Sequence, residues 1–349
     1  MTLKDLLKSD KKILALSPMD GITDVVYRQV QVSIQKPDLL FTEFVSAEGI
    51  SRGGVKLYDQ LLYKSNERPI VAQLFGKEPE AFYKSAIIVC HLGFDGFDIN
   101  MGCPAKTVTQ HGSGAALIGK PQLASELIES ARQGIKDYLS GQVTINDIGL
   151  KKASLDIIKR NLSFSDYTPT TNIDPTLSVK TRLGITESVI DSWIPHLLSH
   201  NLDFLSLHGR TLKQGYSGLA DWQELEKAAN FAKESNTPFL ANGDIDSLQK
   251  AKLYFEKYPV KGILIGRASM GNPWVFTDQT PSLEKKFSTM LYHAQLFSEI
   301  FPHRRFDPLR KHFLLYTTGH PRAKQLRSQI VRLSTIQQLL DLEEDYLSC

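Results

Sequence analysis

The sequence is short of cysteine, of net charge and of long apolar runs, and each shortage removes a class of answer. Its 349 residues hold three cysteines, Cys90, Cys103 and Cys349. They are widely spaced and odd in number, which argues against a disulfide framework and a zinc site. No apolar stretch approaches the roughly 20 residues that cross a bilayer. The first residues, MTLKDLLKSDKKI, mix charges into their apolar positions, unlike a signal peptide. A cytoplasmic protein is expected. The formal net charge is only +3, so any nucleic-acid surface must come from local clustering. The Gly-rich phosphate fingerprint of a dinucleotide fold is missing after the first strand-like run.

What is present is alternation. Eight short β-rich apolar runs begin at Ile13, Leu39, Ile70, Gly96, Leu177, Phe204, Pro238 and Gly262. Their near-continuous hydrophobicity suits parallel strands buried on both faces. Stretches of helical spacing, such as EPEAFYKSAIIVCHLG and DWQELEKAANFAKES, separate most of them. The pattern predicts an α/β fold, a (β/α)8 TIM barrel, over 1–280, in preference to a doubly wound open sheet. From about Pro281 the pattern is helical alone, which predicts a C-terminal all-helical domain over 281–349. A polar stretch at about 140–176, Ser140 to Thr176, is far longer than a usual helix-to-strand connection. It is expected to hold one basic helix, LKKASLDIIKRNL, and to pack outside the barrel at the N-terminal rim.

A barrel of this kind carries its site at the C-terminal ends of the strands. Read to their ends, the runs give Pro18–Met19–Asp20, Glu43, Gln73, Asn100 with Cys103, Lys180 with Arg182, His208 with Arg210, Asn242 with Asp244, and Gly266–Arg267. A purely structural barrel has no need of so many polar ends on one rim. Glycines in NGDI and GRAS free backbone N–H groups, and Arg267 adds a fork of donors, so a phosphorylated ligand is expected there. Cys103, between a glycine and a proline, is placed poorly for a core filler; Cys90, inside AIIVCHLG, reads as core.

These residues resemble the tRNA-dihydrouridine synthases, through SPMDGITDVVYR, TEFV, AQLFG, DINMGCPAKTV, GSGAALIGKP, VKTRLG, HGRTLKQGYSGLADW, ANGDI, IGRA and LRKH in order. The resemblance implies FMN as cofactor, NADPH as reductant and uridine in tRNA as substrate. By motif, Cys103 would be the catalytic proton donor to uracil C5, and Asn100 would face the uracil. Pro18, Met19, Asp20 and Gln73 would hold the flavin ring, with Lys180 at its N1/O2 edge and His208 nearby. Asn242, Gly243, Asp244, Gly266 and Arg267 would bind ribityl and phosphate groups. Arg182 and Tyr216 would contact the base. A cysteine suits the acid's role, since a thiol with an ordinary pKa near 8.5 stays protonated at neutral pH.

Between Arg304 and Arg332 lie Arg304, Arg305, Arg310, Lys311, Arg322, Lys324, Arg327 and Arg332, with Asp307 the one acid. Such clustering can hold RNA phosphates, and Arg310, Lys311, Arg322 and Lys324 are the expected tRNA contacts. The target base must then leave its stack. No metal and no membrane contact is expected, and the chain should act as a monomer. Two other readings stay open: an FMN barrel oxidoreductase acting on a free pyrimidine, and a flavin-loaded tRNA-binding protein without turnover.

Overall fold

The computed structural model describes residues 2–170, 173–319 and 322–347; Cys349 lies outside the described residues. Eight strands form one parallel sheet: β1 (Ile13–Leu16), β2 (Leu40–Ser46), β3 (Ile70–Phe75), β4 (Gly96–Met101), β5 (Thr176–Arg182), β6 (Phe204–His208), β7 (Phe239–Asn242) and β8 (Gly262–Ile265). Each falls on its expected run. The sheet order is β1-β8-β7-β6-β5-β4-β3-β2. A parallel bridge from Ala15 to Leu39, with Leu16 N donating to Leu39 O at 3.0 Å, closes β1 onto the start of β2. The result is the (β/α)8 barrel.

Successive strand residues point to opposite faces, and the inward set changes character along the barrel axis. At the N-terminal end Ile13, Ala15, Phe41, Val71, Phe204, Leu240 and Leu264 form one apolar cluster. Leu3, Leu6 and Leu7 of the short helix Leu3–Lys8 join it and plug that end. Thr2 caps this helix through a capping box with Asp5. Further along, the inward positions are polar: Gln73, Asp98, Asn100, Ser178, Ser206 and His208 are all buried.

Four helices follow the barrel, Leu283–Ile300, Asp307–Tyr316, Ala323–Ile330 and Ile336–Leu347. The run that begins at Pro321, itself outside the described residues, and ends at Leu347 has the spacing of one continuous helix, but its described part is broken around Leu333 into two of these helices. Their apolar faces share a second core with Val25 and Val26 of the helix Val25–Ile34, and with Leu62 and Trp274.

The 140–176 stretch departs from expectation. Its helix, Lys152–Ser165, lies outside the barrel but does not stay at the N-terminal rim. Its start adjoins Gly53, which follows the C-terminal end of β2, with Ser154 Oγ 3.1 Å from where a Cβ on that glycine would stand. Just past its end, Tyr167 abuts Gly93, which precedes β4. The helix thus spans the height of the barrel. Two further contacts pin it: Asn161 Nδ2 donates to Tyr58 O at 2.7 Å, and Phe164 packs against the C-terminal core. Arg160 pairs with Asp59 at 2.6 Å, and the same carboxylate takes Arg304 from the C-terminal layer.

Candidate active site

At the C-terminal rim the strand ends surround a cavity of about 910 Å³. Pro18, Met19, Asp20, Gln73, Asn100, Cys103, Lys180, Arg182, His208, Tyr216, Asn242, Gly243, Asp244, Gly266 and Arg267 all line it. Two strand-end groups turn elsewhere. Glu43 is buried off the cavity, where its Oε1 accepts the Gly21 N–H; burial, with Asp24 nearby, pushes its carboxyl up to about 7. Arg210 is spent on Asp244, to which its Nη2 donates at 2.6 and 2.7 Å.

β4 ends at Met101, and the chain then turns back over the cavity. Asn100 Oδ1 accepts the N–H groups of Gly102 at 3.1 Å and Cys103 at 2.8 Å, and Ala115 N donates to Cys103 O at 3.2 Å. Gly114, at φ +61°, allows this close return: a Cβ there would lie 2.9 Å from Cys103 O. Arg182 Nε, on the neighbouring strand β5, donates to the Gly102 carbonyl at 2.5 Å. Burial, with Asp20 adding to it, pushes the Cys103 thiol up, so it is protonated at neutral pH.

Cations gather on the β5–β6 side. Burial, together with Arg182, pushes Lys180 down to about 8. His208 is driven well below its ordinary value by burial and by Arg182 and Lys180, and is neutral. Arg210 Nη1 donates to His208 Nε2 at 3.2 Å, which leaves the ring proton on Nδ1.

At the β7–β8 end, Asp244 takes Arg210, Arg267 Nη2 at 2.8 Å and the Ala220 N–H at 2.7 Å. Burial favours its neutral form, but these donors, Arg210 above all, hold the carboxyl below the ordinary carboxylate range. The Arg267 guanidinium also stacks on Tyr216, 4.8 Å from its centroid. Asp244 therefore orients Arg267.

Of the basic residues in the C-terminal layer, Lys311 alone reaches the rim among those expected to touch RNA. Its Nζ stands 2.8 Å from where a Cβ on Gly21 would be, between the lining residues Asp20 and Ile22. None of Arg310, Lys311, Arg322 and Lys324 lines the cavity itself. Arg310 Nε donates to Leu333 O at 2.7 Å and its Nη1 pairs with Asp307 at 2.9 Å, while Arg322 stacks on Tyr346. Among the described residues no group of His, Cys, Asp and Glu could hold a metal, and no helix is long and apolar enough to cross a membrane.

Phe44, Leu219, Ile245, Lys250 and Met270 also line the cavity and were not among the expected site residues, although Phe44, Leu219 and Ile245 lie within the motifs TEFV, HGRTLKQGYSGLADW and ANGDI. Asp98 is a different omission. It sits two residues before Asn100, so the strand period alone puts it on the same inward face.

The dihydrouridine synthase family model matches residues 14–161 and 170–348. Of the long 140–176 stretch, therefore, only 162–169 fall outside the match. A Bacillus subtilis (strain 168) protein named probable tRNA-dihydrouridine synthase 2 is 31% identical over 347 residues, covering 96% of this chain and 94% of its own. A probable tRNA-dihydrouridine synthase of Staphylococcus aureus (strain COL) is 30% identical over 342 residues, 95% of this chain and 92% of its own. Among solved structures, that of DHODH in complex with ferulenol from Eimeria tenella is 14% identical, covers 76% of this chain and 78% of that one, and has a TM-score of 0.48.

Proposed function

The chain belongs to the dihydrouridine synthase family, and from that premise we propose that it reduces the C5=C6 bond of uridine in tRNA, with FMN as cofactor and NADPH as reductant. The observation that carries this reading is a protonated thiol, Cys103, held on a braced turn over a cavity with cations along one side.

The residues fit FMN. The cavity is within the range that holds a cofactor, and Arg267, fixed by Asp244, supplies a guanidinium fork beside Gly266 and Gly243 for a phosphate. Gln73 and Asn100 supply amide donors at the floor. Bound FMN would supply the hydride to uracil C6. Cys103 would give its proton to C5, and its raised pKa keeps that proton available at neutral pH. Lys180, buried and cationic below about pH 8, would stabilise negative charge on the reduced cofactor. Arg182 holds the Gly102 carbonyl and lines the cavity, so it would fix the turn and meet the base together. Exposed Tyr216 would meet the RNA at the lip, and Lys311 would take a phosphate beside it.

The test is direct. The purified protein, its released flavin identified by spectrum and mass, is incubated with NADPH and tRNA from a strain lacking this gene. Dihydrouridine at defined positions, with none formed from free uridine, is expected. Reduction of free pyrimidine at a comparable rate, or no dihydrouridine from a flavin-loaded protein, overturns the proposal.

A further inference from the structure

Four inward side chains form a hydrogen-bonded relay beneath the Cys103 turn. Ser178 Oγ donates to Asp98 Oδ1 at 2.6 Å, and Gln73 Nε2 donates to Asp98 Oδ2 at 2.7 Å. Asn100 Nδ2 donates to Gln73 Oε1 at 2.8 Å. Asn100 Oδ1 then accepts the Cys103 and Gly102 N–H groups. Asp98 does not line the cavity, yet it stands at one end of a path that finishes on the turn.

The two ends dictate what lies between. Burial pushes the Asp98 carboxyl up to about 6, against the Ser178 and Gln73 hydrogen bonds, so it is ionised at neutral pH. An ionised carboxylate can only accept, and backbone N–H groups can only donate. Each amide between them could face either way, but only one combination satisfies both ends. We propose that Asp98 is a positioning residue for Cys103: its carboxylate sets the direction of the relay and so holds the turn that aims the thiol into the cavity. The inference rests on the proposed function only in giving Cys103 its chemical role.

A second consequence concerns what the site accepts. Gln73 and Asn100 each spend one amide N–H on the relay and keep one. Both line the cavity, and both amide oxygens are already engaged. At these two positions the floor offers N–H groups, which suits ligand carbonyl oxygens and unprotonated ring nitrogens.

A plain brace between strands would behave differently from a directional relay, and a pair of variants separates them. Asp98→Leu removes the acceptor and keeps a side chain of similar size. Asp98→Asn would not serve, because its Oδ1 can face Gln73 Nε2 while its Nδ2 faces the Ser178 hydroxyl. In Asp98→Leu the Gln73 amide has a buried donor with no acceptor, and nothing at that end holds its oxygen toward Asn100. Asn100 loses its fixed partner in turn, and its hold on the Gly102 and Cys103 N–H groups loosens. Adding Gln73→Glu moves the carboxylate one link along, where it can only accept and so takes Asn100 Nδ2. Asn100 Oδ1 then returns to the turn, which a plain brace still lacking Asp98 would not allow.

The readout is hydrogen exchange at the Gly102 and Cys103 amides of the full chain as purified, with no cofactor added. In Asp98→Leu, exchange should quicken by roughly tenfold or more, the effect of weakened buried hydrogen bonds. Uridine reduction should slow by about 10²-fold, as for a displaced catalytic group. In the double variant the exchange should return to near the parent rate. Unchanged exchange in a folded Asp98→Leu protein, or fast exchange in a folded double variant, overturns the proposal. If Asp98→Leu does not fold, a folded and protected double variant supports the relay, and an unfolded one overturns it. Exchange does not depend on whether uridine is the substrate, so the relay and the proposed function fail separately.

Discussion

Two clusters of buried polar side chains in this molecule stand on opposite terms. Inside the barrel, Ser178, Asp98, Gln73 and Asn100 each have partners, and a carboxylate gives their hydrogen bonds a direction. Under the C-terminal helices, Tyr27, His293, His312 and Tyr316 pack ring on ring. The Tyr27 and His312 centroids are 5.7 Å apart, those of His293 and His312 4.7 Å, and His293 Nδ1 lies 3.3 Å from the Tyr316 hydroxyl. There His293 Nε2 and His312 Nδ1 have no hydrogen-bond partner among the described residues. Burial pushes both rings down to about 3, with like-charged neighbours adding to it, so both are neutral. The first cluster specifies orientation. The second specifies only shape, and serves as a seam between layers.

The contrast is broken most severely at the thiol. Cys103→Ala should slow uridine reduction by roughly 10²–10⁴-fold, the range for a lost general acid, with flavin content and melting temperature unchanged. Single-turnover reduction of tRNA under NADPH measures it; full activity would remove Cys103 from the chemistry. The seam should respond to acid instead. Because each folded-state histidine pKa is lowered, the unfolded chain takes up protons first as pH falls through 6.5, and stability is lost from there toward about 3. The upper bound is about 1.4 kcal/mol per ring per pH unit, or roughly 2 kcal/mol per ring at pH 5. Thermal melts at pH 7 and pH 5 should show a larger drop in the parent than in His293→Leu/His312→Leu.

At the mouth the pH response has the other sign. Lys180 loses its charge above about pH 8, so turnover should fall by up to about tenfold per pH unit beyond it. The Cys103 thiol, pushed up by burial, stays protonated through the start of that fall. Lys180→Arg should shift the alkaline limb upward in a pH–rate profile; a limb that does not move belongs to another group. Smallest is the clasp on the outer helix. Arg160 and Asp59 are partly exposed, so Arg160→Ala should cost about 1 kcal/mol or less in urea unfolding. It should leave turnover of tRNA alone.

The barrel was legible because each strand writes its own record. Val179 and Ile263 face helices while Lys180 and Leu264 face the axis, and runs buried on both faces end where polar residues begin. The lining followed from reading to those ends. Two kinds of information were missing. Glu43 and Arg210 sit at strand ends as expected, but their side chains are spent on Gly21 and Asp244, and partner choice depends on neighbours far along the chain. The course of the helix Lys152–Ser165 failed for a related reason. A connection of that length can climb the barrel and return, and only tertiary packing against Gly53 and Tyr58 fixes its path. Charge clustering likewise did not show that Arg310 answers to Leu333 O and Asp307 while Lys311 reaches Gly21.

The closure of the sheet also bears on how the chain is made. β1 pairs with β8, Ile13 opposite Gly262, so a strand made early waits for one made almost a barrel later. Until Ile265 has left the ribosome, β1 and β7 each keep an open edge, and the plug of Leu3, Leu6 and Leu7 lacks Leu264. Open parallel edges and unseated leucines favour self-association, and contacts this distant in sequence form slowly. A chain truncated within the helix Leu248–Lys257 is therefore expected to aggregate, while one ending after β8 can close its barrel before the C-terminal helices arrive.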